Sequence, residues 1–258
     1  HGIIGDKGKI LSEQKKIIPG SNYFPDAKIN FTENLLFDAD ETISLITHSE
    51  DKRNRKISRK ELLSKVLSLA GWMKKKGVKK GDRVVAYLPN SEIAIISMLA
   101  TASLGAIFSS CSPDFGFSGV MDRFSQINPK LLISVDGYCY NGKKISKIET
   151  IIDLEKNLPT LENILIAGYL EKKPDISNIS KSSIFEETFK SHPIKKFTRI
   201  AFNDPLYIMY SSGTTGRPKC ILHSVGGTLI QHIKEHKIHC NIFNNDVMFF
   251  FTTCGWMM

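Results

Sequence analysis

The residues with the most evident chemistry lie together in Tyr210-Ser211-Ser212-Gly213-Thr214-Thr215-Gly216-Arg217-Pro218-Lys219. Four aliphatic hydroxyls, two glycines and a lysine fall within ten residues. The apolar run Leu206-Tyr207-Ile208-Met209-Tyr210 leads in, and Cys220-Ile221-Leu222 leads out. Glycine lets backbone N–H groups turn inward without a Cβ clash, and the hydroxyls add further donors. Such a concavity suits an anion with many oxygens, phosphate foremost, and Lys219 supplies a point charge. The spacing excludes the strand-to-helix phosphate loop G-x-x-x-x-G-K-[ST], because Arg217-Pro218 separate Gly216 from Lys219. Pro218 has no N–H and biases Arg217 away from helical geometry, so the spacing predicts a loop between two strands. A plain polar hairpin turn is the competing reading.

A second group is His223, His232, His236, His239 and Cys240. His232 and His236 are four apart, on one helical face, as metal ligands are in some enzymes. No H-E-x-x-H is present, and Glu235 points off that face, so packing or surface histidines are expected rather than a metal site. Cys254 precedes Gly255-Trp256 without a readable histidine partner. It suits a pocket wall better than a nucleophile, and Trp256 suits core or pocket wall. The run Lys52-Arg53-Asn54-Arg55-Lys56 reads as a solvated turn.

These residues need a scaffold, and composition bounds it. The chain has 258 residues, 41% apolar and 24% charged, with a net charge of +9. That allows one or two globular domains and favours anionic partners. Lysine is spread along the chain with no arginine stripe or interleaved aromatics, so nucleic acid is not an expected partner. The five cysteines are scattered, with no C-x-x-C, as in reduced cytoplasmic proteins. The apolar-rich stretch from Ile93 to Phe108 is short of the ~20 residues that span a bilayer and reads as a buried helix, so no membrane partner is expected. The chain starts at His1 and stops inside an apolar run at Met258, which reads as an internal piece of a longer protein.

Residues 43–47 alternate like a strand. Ser58-Arg59-Lys60-Glu61 has the form of a capping box ahead of Leu62, Leu63, Val66, Leu69, Ala70 and Met73 on one helical face, with Gly77 as the stop. Strands are expected at 83–88, 106–110, 131–135, 164–167 and 247–252. Helices are expected at 91–104, at 118–124 with Ser118 as cap, around Ile145, Ile148, Ile152 and Leu154, at 183–189, and from His223 to about Lys237. Asn34-Leu35-Leu36-Phe37 reads as the start of a helical turn. Strand and helix alternate, and the strands lack polar alternation. That is the pattern of an α/β fold: parallel-sheet layers with flanking helices and ligands at the strands' carboxyl ends.

The glycine-rich stretch resembles the phosphate-binding signature of the adenylate-forming (AMP-binding) enzymes. Gly77-Val78-Lys79-Lys80-Gly81-Asp82-Arg83-Val84, Pro89-Asn90-Ser91 and Ala100-Thr101-Ala102-Ser103-Leu104-Gly105-Ala106-Ile107 are similar to that family in the same order. Phe24 to Asn30 with Glu33-Asn34-Leu35-Leu36 is similar to the N-terminal segment of its acetyl-CoA-synthetase-like members. Ser112-Pro113-Asp114-Phe115-Gly116, Asp122 to Lys130, Tyr140-Asn141-Gly142-Lys143, His223-Ser224-Val225-Gly226-Gly227, Lys234-Glu235-His236 and Phe251 to Met258 resemble its acetoacetate-activating branch. The histidine cluster belongs to that branch, with no role that the residues dictate.

The resemblance implies a 1–36 N-terminal segment and a 37–258 AMP-binding domain that lacks part of its C-terminal side, without the family's small lysine-bearing domain. It implies an ATP-dependent acid–thiol ligase joining acetoacetate to CoA through an acyl-adenylate, with ATP, Mg²⁺ and CoA as substrates and cofactor. Ser211, Ser212, Gly213, Thr214, Thr215, Gly216 and Lys219 would hold the β- and γ-phosphates with Mg²⁺. Thr252, Thr253, Cys254, Gly255 and Trp256 would line part of the acyl pocket. No catalytic residue is implied within these 258 residues, which are expected to be inactive alone. Acetate, propionate or another short acid is the alternative substrate. A non-catalytic ATP-binding remnant is the alternative of another class.

Overall fold

The computed structural model describes residues 2–13, 22–50, 54–211 and 216–257. A seven-stranded sheet carries the fold. In chain order its strands are Arg83–Tyr87 (β1), Ile107–Cys111 (β2), Leu131–Val135 (β3), Asn163–Ala167 (β4), Ser182–Ile184 (β5), Pro205–Ser211 (β6) and Lys219–Ser224 (β7). Their spatial order is β5-β4-β3-β1-β2-β6-β7. All neighbours are parallel except β6 and β7, which form an antiparallel pair at one edge. The helices are Phe31–Leu36 (α1), Arg59–Lys75 (α2), Glu92–Ser103 (α3), Phe117–Phe124 (α4), Ile148–Asn157 (α5) and Val225–Lys234 (α6). This is the expected α/β architecture.

Side-chain alternation divides the core between the two sheet faces. Val85, Tyr87, Leu132, Ile164 and Ile166 pack with Val120 and Phe124 of α4 and Ile151 and Leu154 of α5. Val84, Ala86, Leu131, Ile133 and Leu165 pack with Leu69 and Met73 of α2 and Ile96 and Leu99 of α3. Each fully buried Leu, Ile or Val stabilises by roughly 1.5–3 kcal/mol, so strands apolar on both faces are fixed at the centre.

The end signals of α2 act as expected. Ser58 caps it by accepting the Glu61 N–H at 3.1 Å, a cap that contributes about 1 kcal/mol. At the other end Val78 N–H donates to Met73 and Gly77 N–H to Lys74, with Gly77 at φ +81°. That is a Schellman closure, which a Cβ would strain. Gly71, mid-helix, serves another purpose. A Cβ there would lie 1.9 Å from the His192 carbonyl oxygen, because the 192–194 backbone crosses α2 and Ile194 N–H donates to Leu67.

Several expectations are corrected. Ile145 belongs to no helix: it lies on strand Lys143–Ser146, paired antiparallel with Gly137–Tyr140. Asn141 and Gly142, at φ 48° and 73°, make the tight turn between them, and α5 starts only at Ile148. The helix at 183–189 is instead β5, followed by a 3₁₀ turn at Glu186–Lys190, because parallel pairing to β4 captures Ser182–Ile184. α4 starts at Phe117 with Gly116, not Ser118, as its cap. α1 starts at Phe31, earlier than the expected turn at Asn34, because Asn30 caps it and accepts the Glu33 N–H. α6 gives way at Glu235–His239 to a π-helical turn. Residues 247–252 form no strand; Val247, Phe249 and Phe251 are 80%, 84% and 91% exposed, with no sheet edge among the described residues pairing them.

The N-terminal segment is sewn onto this body. Lys28–Ile29 pairs with Gly5–Asp6 on one side and Ile200–Ala201 on the other. Asn30 is fully buried, and its Nδ2 donates to the carbonyls of Ala102 and Thr198, both at 2.8 Å. Arg199 forks onto Glu33 with two bonds of 2.9 Å.

Candidate functional site

β6 runs to its carboxyl end at Ser211, and β7 returns from Lys219, so the glycine-rich stretch connects antiparallel strands as its spacing predicts. Ser211 and Lys219 face one another across the pair, closing the mouth of the loop. Gly216, at φ +151°, has open space where a Cβ would stand. Ser212, Gly213, Thr214 and Thr215 lie outside the described residues.

The returning limb is tied to the turn after α4 by a residue to which the sequence assigned no role. Gln126 donates from Nε2 to the Pro218 carbonyl at 2.9 Å, and the Cys220 thiol donates to its Oε1 at 3.6 Å. Nothing in the spacing of 210–219 could reveal a partner 92 positions upstream. Arg217 meets Asp122 at 3.8 Å, an exposed pair that adds little stability. Tyr210 turns to the opposite face, where its hydroxyl accepts from Ser109 and donates to the Arg123 carbonyl. Burial pushes that phenol well above its ordinary range, so it stays neutral.

The pairing also shows which side chains share the loop's face. Tyr207, Met209 and Ser211 alternate along β6, opposite His223, Ile221 and Lys219 on β7. Across β6, Tyr207 pairs with Phe108 of β2, which places Ser110 on the same face beside Met209. The segment bearing Cys254 crosses this face. Ser110 Oγ donates to the Cys254 carbonyl at 2.6 Å. Asn90, beyond the carboxyl end of β1, accepts the Cys254 N–H at 2.9 Å and its S–H at 3.1 Å, and donates to the Thr252 carbonyl. Gly255 passes so close that a Cβ would lie 2.9 Å from the Ser110 carbonyl oxygen. Thr252, Thr253, Cys254 and Gly255 are half-buried, while Trp256 is 62% exposed.

Burial raises the Cys254 thiol to about 11 and the Cys111 thiol to about 12, so neither is a thiolate near neutrality. Asn90, Ser110 and Gln126 are brought in by long-range packing; Asn90 and Gln126 lie in stretches that resemble the family, but neither motif assigns them a role.

His223 and His232 approach this face from its far end. The His223 ring lies 5.0 Å from Tyr207, and His232 stacks on His236 at 6.0 Å. Glu235 instead engages Gln231, Lys234 and His239, off the His232/His236 face. Among the described residues, no three His, Cys, Asp or Glu side chains are grouped as a metal would require.

Burial first, then the charges of His236 and His223, hold the His232 imidazole below its ordinary value. The unfolded chain therefore takes up the proton first. Stability is full above the unfolded value near 6.5 and declines as pH falls through it toward the lower folded value. Urea midpoints should thus drop between pH 7.5 and 5.5, and His232→Gln should drop less. Equal drops would exclude His232 as the group responsible.

The chain belongs to the AMP-binding enzyme family, whose model matches residues 38–258. It is 45% identical over 259 residues to acetoacetyl-CoA synthetase of Gallus gallus, covering 97% of this chain and 39% of that protein. Acetoacetyl-coenzyme A synthetase of Rhizobium meliloti (strain 1021) is 44% identical, covering 99% of this chain and 40% of that protein. Among solved structures, acetoacetyl-CoA synthetase from Streptomyces lividans superposes with a TM-score of 0.91 at 34% identity, over 99% of this chain and 39% of that one. The chain thus spans about two fifths of the length of these relatives. No helix among the described residues is long and apolar enough to cross a membrane.

Proposed function

We propose that this chain supplies the phosphate-binding and part of the acyl-binding surface of an ATP-dependent acid–thiol ligase that activates acetoacetate. The observation that carries the reading is the placement of the hairpin mouth, Ser211 opposite Lys219, on the same sheet face that the Cys254 segment crosses. An anion held at the mouth and a small acid held near that segment would be neighbours. Family membership and the likeness to acetoacetyl-CoA synthetases support the chemistry.

A carboxylate oxygen would attack the α-phosphorus of ATP, and pyrophosphate would leave. The thiolate of CoA would then attack the acyl carbonyl, and AMP would leave. The first step asks the protein chiefly to position two anions and offset their repulsion. Lys219 would carry positive charge to the β- and γ-phosphates; Ser211, Ser212, Thr214 and Thr215 would donate hydroxyls, and Gly213 and Gly216 amides. Mg²⁺ would come with the phosphates, since the described residues group no acidic or histidine cluster to hold it. Thr252, Thr253, Cys254, Gly255 and Trp256 would form one wall of the acyl pocket. The free cysteines and the small-molecule substrates suit a cytoplasmic enzyme.

The test is acyl-adenylate formation by the complete gene product, followed as pyrophosphate release with acetoacetate, acetate, propionate and butyrate. Acetoacetate should give the highest kcat/KM. A preference for acetate or propionate would move the substrate to another short acid. Saturable Mg-ATP binding without pyrophosphate release from any acid would leave a nucleotide-binding protein only.

A further inference from the structure

Among the buried polar groups that the proposed chemistry leaves unused, His223 is the one beside a cavity on the site's face. Its Nε2 is shielded from solvent and has no hydrogen-bond partner among the described residues. A buried polar nitrogen without a partner costs free energy, so a native one calls for an occupant or a function. His223 is also among the residues, with Tyr207, Thr228, Gln231, His232 and Met257, that line a cavity of about 400 Å³. That volume is ample for a four-carbon acid. Met257 directly follows the segment pinned by Asn90 and Ser110, so the cavity continues the surface assigned to the acyl group.

Strand geometry gives the spacing. Lys219, Ile221 and His223 project from one face of β7. Lys219 and His223 are four residues apart, about 13 Å at ~3.3 Å per residue. That leaves room for the α-phosphate and a short acyl chain between terminal phosphates at Lys219 and the imidazole. The Tyr207 ring lies 5.0 Å from that of His223, and the Tyr207 hydroxyl is engaged by Thr228. The imidazole is thereby backed on one side while its Nε2 remains unpaired.

We infer that His223 is a specificity-determining residue, whose Nε2–H donates a hydrogen bond to the keto oxygen at C3 of a 3-oxo acid. The inference rests on the acid–thiol ligase reading and deepens it by naming what distinguishes a 3-oxo acid from a saturated one. A site built around a buried donor discriminates strongly against an analogue lacking the acceptor, because the donor is then left unpaired. Acetate and propionate cannot reach the atom with an acceptor. Butyrate reaches it with a methylene.

The experiment compares acetoacetate and butyrate, matched in chain length, by pyrophosphate release from the complete gene product. His223→Leu should lower the acetoacetate-to-butyrate ratio of kcat/KM about tenfold or more, chiefly by weakening acetoacetate. His223→Gln, which keeps a side-chain N–H donor, should retain part of the ratio and keeps the test open if the leucine variant folds poorly. Equal losses on both acids in the folded variants would show a packing role and overturn the inference. If the wild-type protein makes acetoacetyl-adenylate and neither variant shifts the ratio, the inference alone fails. If the wild type activates acetate or butyrate but not acetoacetate, the substrate reading fails and the inference falls with it.

Discussion

Lys219→Ala should weaken Mg-ATP binding by the complete gene product about 10- to 100-fold, the effect of removing a hydrogen bond to a charged group of ~1.5–3 kcal/mol. Lys219 stands at the first position of β7, opposite Ser211, where strand pairing holds its Cα at the mouth of the loop. Its side chain is exposed, and the described residues give it no salt bridge, so nothing in the fold competes with an incoming anion. The substitution should therefore leave the melting temperature nearly unchanged while binding falls. Lys219→Arg should recover part of the affinity, because charge rather than shape is what the position supplies. Isothermal titration would read this directly; undiminished binding by the alanine variant would remove the hairpin mouth from the phosphate site.

Gly71→Ala should destabilise the protein by about 2 kcal/mol or more, although alanine is the better helix former by ~1 kcal/mol. Position 71 lies inside α2, where the His192 carbonyl oxygen would stand 1.9 Å from the new Cβ. Backbone cannot rotate away as a side chain can, so either α2 or the 192–194 segment must move. Moving that segment endangers the bond from Ile194 to the Leu67 carbonyl and the burial of Ile194 itself. A fall of ~5 °C in melting temperature is the corresponding signal for a domain of this size. A variant as stable as the parent would mean that the crossing segment yields freely.

Both predictions bear on what could be read along the chain. α2 was legible at both ends because caps act over three or four residues: Ser58 with Glu61, and Gly77 with Lys74. Leu131–Val135 was legible because a strand buried on both faces is apolar nearly throughout, here at every position but Ser134. Ile145 misled because 145, 148 and 152 match a helical period, while the turn at Asn141-Gly142 diverts Ile145 into a hairpin. Ser182–Ile184 has no strand pattern of its own and takes its form from β4.

The site divides in the same way. The loop's chemistry and its strand-to-strand setting follow from residues 206–222, all within local reach. Gln126 under Pro218, Asn90 and Ser110 on Cys254, and the cavity beside His223 arise from separations of 92 to 164 positions, or from side chains assembled only by folding. Gly71 was silent for the same reason, since its partner lies more than a hundred residues downstream.

The stitching of the N-terminal segment has a consequence for synthesis. Ile29 pairs with Ile200, and Asn30 donates to the Thr198 carbonyl, 168 positions away. On a ribosome adding ~5–20 residues per second, residues 22–36 must therefore wait several seconds or longer before their partners emerge. Contacts this distant in sequence also close late, because the loop entropy is lost before they form. Residues 22–36 thus dock late although they are made before their partners, and until then the carbonyls of Ala102 and Ser103 at the end of α3 lack the bonds that the Asn30 amide adds to those from Gly105 and Thr198.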